Sequence, residues 1–169
     1  NLGDQIGTAS ALKMCYASQT KGTTALWLHS LVTAQSLGVL DPLRKEWTSS
    51  HPTLWGRMED NIPTVPHRAG RWIGEMKEIA LTMEGIGLTN DAFEGAAAMY
   101  ELVDAVFHQK GYSEGPPILE VLSMIEHHLH DHHHRGCCYH HSLHHGRHVL
   151  RDCFDEEPPM VGISSDTWI

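Results

Sequence analysis

The chain has 169 residues, a formal net charge of -9 at pH 7 and 41% hydrophobic residues. This length suits one domain with a buried core and a short tail. The net negative charge argues against a nucleic-acid binder, which needs a basic surface. The sequence contains no run of about 18 apolar residues, the length that a membrane-spanning helix needs. Four cysteines are too few for a disulfide framework. We therefore expect a soluble, cytoplasmic protein that binds neither nucleic acid nor membrane.

The first predicted elements are helices. Residues 8–37 contain no proline, and Gly38 follows as a natural helix stop. Asp41 and Pro42 predict the start of a second helix, with Asp41 as the N-cap and Pro42 in the first turn. Prolines then limit the next stretch to one short helix around residues 54–59.

Two helical stripes follow, each with apolar residues three or four positions apart. They comprise Trp72, Met76, Ile79, Met83 and Ile86, and then Phe93, Ala97, Tyr100, Val103 and Phe107. Gly85 and Gly87 predict the end of the first of these helices. A loop at 111–117 and an amphipathic segment at 118–125 complete the domain, and no segment alternates as a strand would. The predicted fold is all-α, with five or six helices and one long first helix.

Residues 127–169 differ from the rest in composition. Eleven of the 15 histidines lie between 127 and 148, and three of the four cysteines lie beyond 136. We therefore divide the chain into a helical domain at 1–126 and a low-complexity tail at 127–169, which we expect to be disordered. A sequence artefact, such as a shifted reading frame, is another interpretation of the tail.

The tail also contains metal-ligand types, since imidazole and thiolate bind zinc, nickel and copper. Histidines four apart share a helix face, as do His128/His132, His130/His134, His140/His144 and His141/His145. With histidines this dense, almost any spacing occurs by chance. We expect at most adventitious binding and no dedicated metal site.

Lys13 is the one lysine in a helix start that is otherwise small and apolar. It is either a structural lysine whose amine reaches water or a catalytic lysine whose partial burial lets it pass a proton near neutral pH. Nearby Cys15 has no histidine that orients it in sequence, and we interpret it as a buried structural cysteine.

Three segments resemble the C-terminal helical domain of the β-hydroxyacid dehydrogenases, the relatives of 6-phosphogluconate dehydrogenase and 3-hydroxyisobutyrate dehydrogenase. They are GTASALKMCYASQTKG at 7–22, LGVLD at 37–41 and AGRWIGEMKEI at 69–79. More narrowly, they resemble the subgroup with a phosphogluconate dehydrogenase-like C-terminal domain. The resemblance covers roughly residues 5–107 and not the tail.

The resemblance implies a two-part enzyme. A Rossmann domain binds NAD or NADP, and the helical domain supplies substrate contacts and a catalytic lysine in a Gly-x-Gly/Ala-x-x-x-Lys pattern, which Gly7, Ala9 and Lys13 match. Lys13 would then relay the hydroxyl proton of a small hydroxyacid as hydride moves to or from the nicotinamide. The resemblance also implies a homodimer.

One position departs from the family pattern, because Ala17 stands where the family commonly has asparagine, four residues after the lysine. Ser10, Ser18 or Lys21 could compensate, and we expect Ser10 and Lys21 to contact substrate. Arg71 is a candidate anion contact, since guanidinium suits carboxylate or phosphate, with an ordinary surface salt bridge as the alternative. Its neighbours Trp72 and Glu75 are interpreted as a core residue and as a helix-surface or cap partner.

The chain lacks the dinucleotide-binding fingerprint, which follows a strand and opens a helix. Only Gly85-x-Gly87 hints at it, between two helices, where a turn explains it. Because proton relay requires the nicotinamide beside the lysine, we expect the isolated chain to be inactive. The Rossmann domain would be supplied in cis or in trans. The chain starts without Met, which suggests a fragment or processed piece, and shows no signal peptide.

Two other functions stay open at this point. One is a non-catalytic helical module for dimerisation or interaction, which Ala17 and the missing cofactor domain favour. The other is metal binding through the histidines at 127–148.

A zinc titration tests metal binding by the tail. If the tail binds zinc, calorimetry on the full chain should give a binding signal that a 1–126 fragment lacks, because the ligands lie beyond 126. Equal weak binding by both proteins would contradict metal binding through the tail.

Overall fold

The described part of the chain is helical throughout. A computed structural model describes residues 7–108 and 115–134, with side chains to Asp131. The helices are α1 (Thr8–Ala17), α2 (Thr23–Ser36), α3 (Leu40–Ser50), α4 (Pro52–Asn61), α5 (Ala69–Glu84), α6 (Asp91–Phe107) and α7 (Ile118–His134). A 3-10 turn, Ile62–Thr64, follows α4. Because no residue in these ranges lies in a strand, the predicted all-α fold is confirmed.

A π-helical turn, Ser18–Gly22, joins α1 to α2 and interrupts the predicted first helix. The Thr24 hydroxyl donates to the carbonyl of Thr20 at 2.9 Å, and the Tyr100 hydroxyl donates to the carbonyl of Lys21 at 2.6 Å. Side-chain hydroxyls of this kind give the carbonyls partners where the regular α-helical ladder is broken. The long first helix therefore exists as α1, a π turn and α2.

The helix ends agree with the predicted stops at two glycines. Gly38 and Gly87 have φ angles of +68° and +85°, the left-handed conformation that glycine adopts without strain. The predicted N-cap of the next helix is wrong by two residues, because α3 begins at Leu40 with Val39 as its N-cap. Asp41 lies instead in the first turn, where its charge faces the positive end of the helix dipole.

The core lies where α5 and α6 pack against each other and where α2 and α7 close over them. Its fully buried large side chains include Leu28, Leu31, Met58, Met76, Ile79, Tyr100, Val103, Leu122 and Ile125. The two predicted stripes supply much of this core. The prediction of a buried stripe is wrong for Ile86, whose side chain is 73% exposed. The helix α5 ends at Glu84, and the chain turns away before it reaches Ile86.

The last helix crosses the predicted domain boundary. α7 buries Leu122 and Ile125, and the side-chain amide of Gln35 donates to Glu126 at 3.2 Å. The helix then continues past 126 to His134. The division at 126 stays a prediction, and positions 135–169 of the tail lie outside the described residues.

None of the described helices is both long enough and apolar enough to cross a membrane.

A pair of isoleucine truncations tests the burial assignment in α5. Ile79→Ala should lower the free energy of unfolding by about 2–5 kcal/mol, because it opens a cavity in the core. Ile86→Ala should change it by less than about 0.5 kcal/mol, because that side chain is largely in water. Urea unfolding of the two variants compares them directly, and equal losses would contradict the assignment.

Candidate functional site

Three positively charged side chains lie close enough to act on a fourth, Lys21, which forms a hydrogen bond with a carboxylate. The cation cluster consists of Lys13 on α1, Lys21 in the π turn, and Arg68 and Arg71 at the start of α5. The carboxylate is that of Glu75, one turn further along α5. The whole chain is acidic, with a net charge of -9. A local excess of positive charge in such a chain is typical of an anion-binding surface.

Lys21 lies at the centre of the cluster. Its ammonium group donates a hydrogen bond to Glu75, and the two side chains are only 21% and 19% exposed. Burial, together with the nearby charges of Arg71, Lys13 and Arg68, lowers the pKa of Lys21. The Glu75 carboxylate opposes this shift, since an opposite charge favours the ammonium form. Lys21 and Arg71 therefore share the one negative charge of Glu75.

The two arginines are more exposed than Lys21. The Nε atom of Arg71 lies 3.6 Å from an oxygen of Glu75, four residues along the same helix. This is the surface salt bridge that the sequence left open as an alternative for Arg71. The Cζ atom of Arg68 lies 5.9 Å from the centre of the Trp72 ring. Within the described residues, neither Arg68 nor Lys13 forms an ion pair.

A buried aromatic pair supports the cluster. Trp72 is 6% exposed, which confirms its predicted place in the core. Its ring meets the Tyr100 ring edge-to-face with centroids 5.2 Å apart, and Lys21 Nζ lies 5.6 Å from the Trp72 centroid. Burial raises the pKa of Tyr100, so its hydroxyl stays protonated and can keep donating to the Lys21 carbonyl. The core therefore holds both the backbone and the side chain of Lys21.

Lys13 and Ser10 lie on the exposed surface of α1. They are three positions apart, which places them on neighbouring positions of one helix face. The partial burial expected of a catalytic Lys13 is therefore not found, because α1 leaves this side chain exposed. Lys13 is close enough to Lys21 for its charge to act on that ammonium group. Within the described residues no hydrogen bond or ion pair ties Ser10 to the cluster, and its role as a substrate contact stays a prediction.

Ala17 at the end of α1 and Ser18 at the start of the π turn are both buried, so neither side chain is placed to contact a ligand. Ala17 is 5% exposed and belongs to the core, so the position that departs from the family pattern serves packing here. Ser18 is also buried, and its hydroxyl donates to the carbonyl of Cys15 at 2.7 Å. Cys15 itself is exposed. The interpretation of Cys15 as a buried cysteine was therefore wrong, because α1 packs on one side only.

An open cleft of about 320 Å³ borders Arg71. It lies between the start of α5 and the end of α6, and His67, Gly70, Asp104 and His108 are among its lining residues. The Nδ1 atom of His108 lies 3.6 Å from Asp104. The cleft gives the arginine side of the cluster room for a bound group.

Sequence reasoning missed two parts of this site. Arg68 was not selected, although it lies three positions before Arg71 and is the N-cap of α5. Glu75 was placed only on the helix surface, whereas it bridges Lys21 and Arg71 across two segments. Counting cations near the resemblance segments would have found Arg68. Nothing in the sequence pairs Lys21 with Glu75, 54 positions away.

Among residues 7–108 and 115–134, no three His, Cys, Asp or Glu side chains form a group that could hold a metal ion. All four predicted histidine pairs of the tail lie wholly or partly outside the described side chains. The described helices also offer no strand-to-helix turn that could hold a dinucleotide.

A family model described as a domain of unknown function (DUF1932) matches residues 34–103. The match includes Arg68, Arg71 and Glu75, whereas Lys13 and Lys21 precede it. No curated protein matches the chain.

A conserved hypothetical protein from Sinorhizobium meliloti 1021 has a similar solved structure, with a TM-score of 0.66 and 25% sequence identity. The similarity covers 74% of this chain and 42% of that one. The chain therefore corresponds to less than half of the length of this relative.

Removing the shared carboxylate tests the electrostatics of the cluster. Glu75→Gln should lower the free energy of unfolding by about 1–3 kcal/mol, since it leaves a half-buried ammonium among like charges. Glu101→Gln is the matched control, because it removes the carboxylate of an exposed pair with Lys77 and should have little effect. Equal effects in thermal unfolding would show that Glu75 has no special role.

Proposed function

We propose that this chain is the substrate-binding, catalytic-lysine domain of an NAD(P)-dependent oxidoreductase that acts on a small hydroxyacid. The observation that carries the proposal is the cation cluster, which places an exposed lysine near anion-binding side chains. Lys13 is the catalytic residue in this proposal. Lys21 and Arg71 contact the negatively charged part of the substrate, and Ser10 lies beside Lys13.

The chemistry divides between two domains. A Rossmann domain, in cis or in trans, would hold NAD or NADP, and that cofactor would supply the hydride acceptor or donor. In its neutral amine form Lys13 takes the proton from the substrate hydroxyl during oxidation, and as the ammonium it returns that proton during reduction, which is general acid–base catalysis. Lys21 and Arg71 orient the substrate by charge, so that its hydroxyl meets the Lys13 amine rather than water.

Three findings support this proposal. The matched domain is known as the C-terminal domain of NAD-binding hydroxyacid dehydrogenase-like proteins. The similarity to the solved structure covers 42% of that protein, which leaves room there for a further domain. The segment at 7–22, which resembles the catalytic-lysine motif, forms α1 and the π turn and so brings Lys13 and Lys21 onto one helical path.

The exposed apolar residues of α1 and α2 favour a second function. Leu12, Tyr16 and Leu26 are 54%, 71% and 64% exposed, and Leu12 and Tyr16 lie four residues apart on one face. Such side chains suit contact with another domain or subunit. A non-catalytic interaction or homodimerisation module is therefore the alternative, and the proposed homodimer is compatible with both functions.

Joining the chain to a cofactor-binding domain tests the proposed function. The chain alone should neither bind nicotinamide nucleotide nor oxidise hydroxyacids, whereas the joined protein should do both. Lys13→Ala should then lower kcat by about 10²- to 10⁴-fold, with Lys45→Ala on α3 as an exposed-lysine control. Unchanged turnover in Lys13→Ala would reject the catalytic role, and no turnover in the joined wild-type protein would favour the interaction module.

A further inference from the structure

The last two turns of α7 carry metal-ligand side chains that the proposed reaction does not use. The helix continues past position 126 to His134, and His127, His130 and Asp131 lie exposed in this extension. His130 and Asp131 follow His127 by three and four positions, so all three lie on one face of the helix. Imidazole and carboxylate are ordinary ligands of divalent transition metals. The extension therefore presents three ligand types together.

The separation of His127 from Asp131 matches that of two ligands on one ion. The Nε2 atom of His127 lies 3.5 Å from an oxygen of Asp131. This is longer than an N–H···O hydrogen bond, which spans about 2.7–3.2 Å. Two ligands that each lie about 2.0–2.1 Å from a tetrahedral zinc ion are themselves about 3.3 Å apart. A metal ion can therefore enter between these two atoms with little movement of either side chain.

The charge around this end of α7 favours a cation. The helix contains no lysine or arginine, whereas it has two glutamates and Asp131. The C-terminal end of a helix also carries the negative pole of the helix dipole. A second histidine–carboxylate pair, His108 with Asp104 at 3.6 Å, lies in a cleft that Arg71 also lines. The charge of Arg71 repels a cation there, and no such charge opposes one on α7.

We infer that His127, His130 and Asp131 bind one divalent transition-metal ion, with zinc as the representative ion. His127 and Asp131 supply two ligands close to their present positions. The three side chains do not form one group in the described structure, and the exposed imidazole of His130 reaches the ion by changing its rotamer. Water completes the coordination. The site is independent of the proposed dehydrogenase reaction, because its ligands lie on α7 and Lys13 lies on α1.

The helix selects these residues from the many histidines nearby. In the sequence, ligand spacings recur by chance at this density, whereas the helical backbone of α7 places these three in one row. Leu129 packs against the core in the same segment and so holds the row outward. Because the ion binds the helical form, it links consecutive turns and stabilises the end of α7 by mass action.

A zinc titration of the isotope-labelled full chain, followed by NMR, locates the site. We expect the amide signals of residues 124–134 to shift before all others, and an equal concentration of Mg²⁺ to leave them unchanged, because Mg²⁺ prefers oxygen ligands. Shifts confined to residues beyond 134 would assign zinc binding to the rest of the tail and overturn the inference. Shifts that begin at Asp104 and His108 would also overturn it, as would a spectrum that zinc does not change.

Matched substitutions identify the ligands. His127→Ala and Asp131→Asn should each raise, at least about tenfold, the zinc concentration at which the α7 signals complete half of their shift. Both variants should fold, because the replaced side chains are 79% and 54% exposed. His108→Ala is the control, since it removes the histidine of the other pair and should leave the zinc response of α7 unchanged. An unchanged response in His127→Ala, or an equal loss in His108→Ala, would reject the site on α7.

Discussion

The buried hydroxyl of Tyr100 connects the core of this domain to its candidate site. It donates to the Lys21 carbonyl at 2.6 Å from α6, and its ring packs edge-to-face on Trp72 of α5. A fully buried tyrosine needs such an acceptor, because an unpaired hydroxyl in the core is unfavourable. The carbonyl that accepts this bond belongs to the π turn. The same bond therefore satisfies the core and fixes the backbone of Lys21.

The side chains around Lys21 carry more positive than negative charge. The chain as a whole is acidic, yet Lys13, Arg68 and Arg71 all lie close enough to act on the charge of Lys21, although like charges repel. The repulsion is reduced by Glu75, by the Trp72 ring near Lys21 and Arg68, and by water at the exposed arginines. An arrangement of this kind is held in place by the rest of the fold, since the cations would separate in an unconstrained chain. This is the physical basis for assigning the surface to an anionic ligand.

Much of the fold could be predicted because its signals are local. The stripes that contain Met76, Ile79, Tyr100 and Val103 recur at helical spacing, and all four residues are fully buried. Ile86 continues the helical spacing of apolar residues but is exposed. The spacing alone does not show that the helix ends before it, at Glu84. Cys15 was misjudged for a related reason. Its burial depends on how many neighbours α1 has, and α1 packs on one side only.

The sequence by itself determined the all-α class, the helix stops at Gly38 and Gly87, and the lysine most worth testing, because these follow from residues that are near one another in the chain. Only the tertiary structure decided that the first helix contains a π turn, since the partner of Lys21 there is Tyr100, 79 positions away. It also decided that Glu75 unites Lys21 with Arg71. Long-range contacts of this kind leave no periodic pattern in the sequence, because they arise only when separate helices pack together.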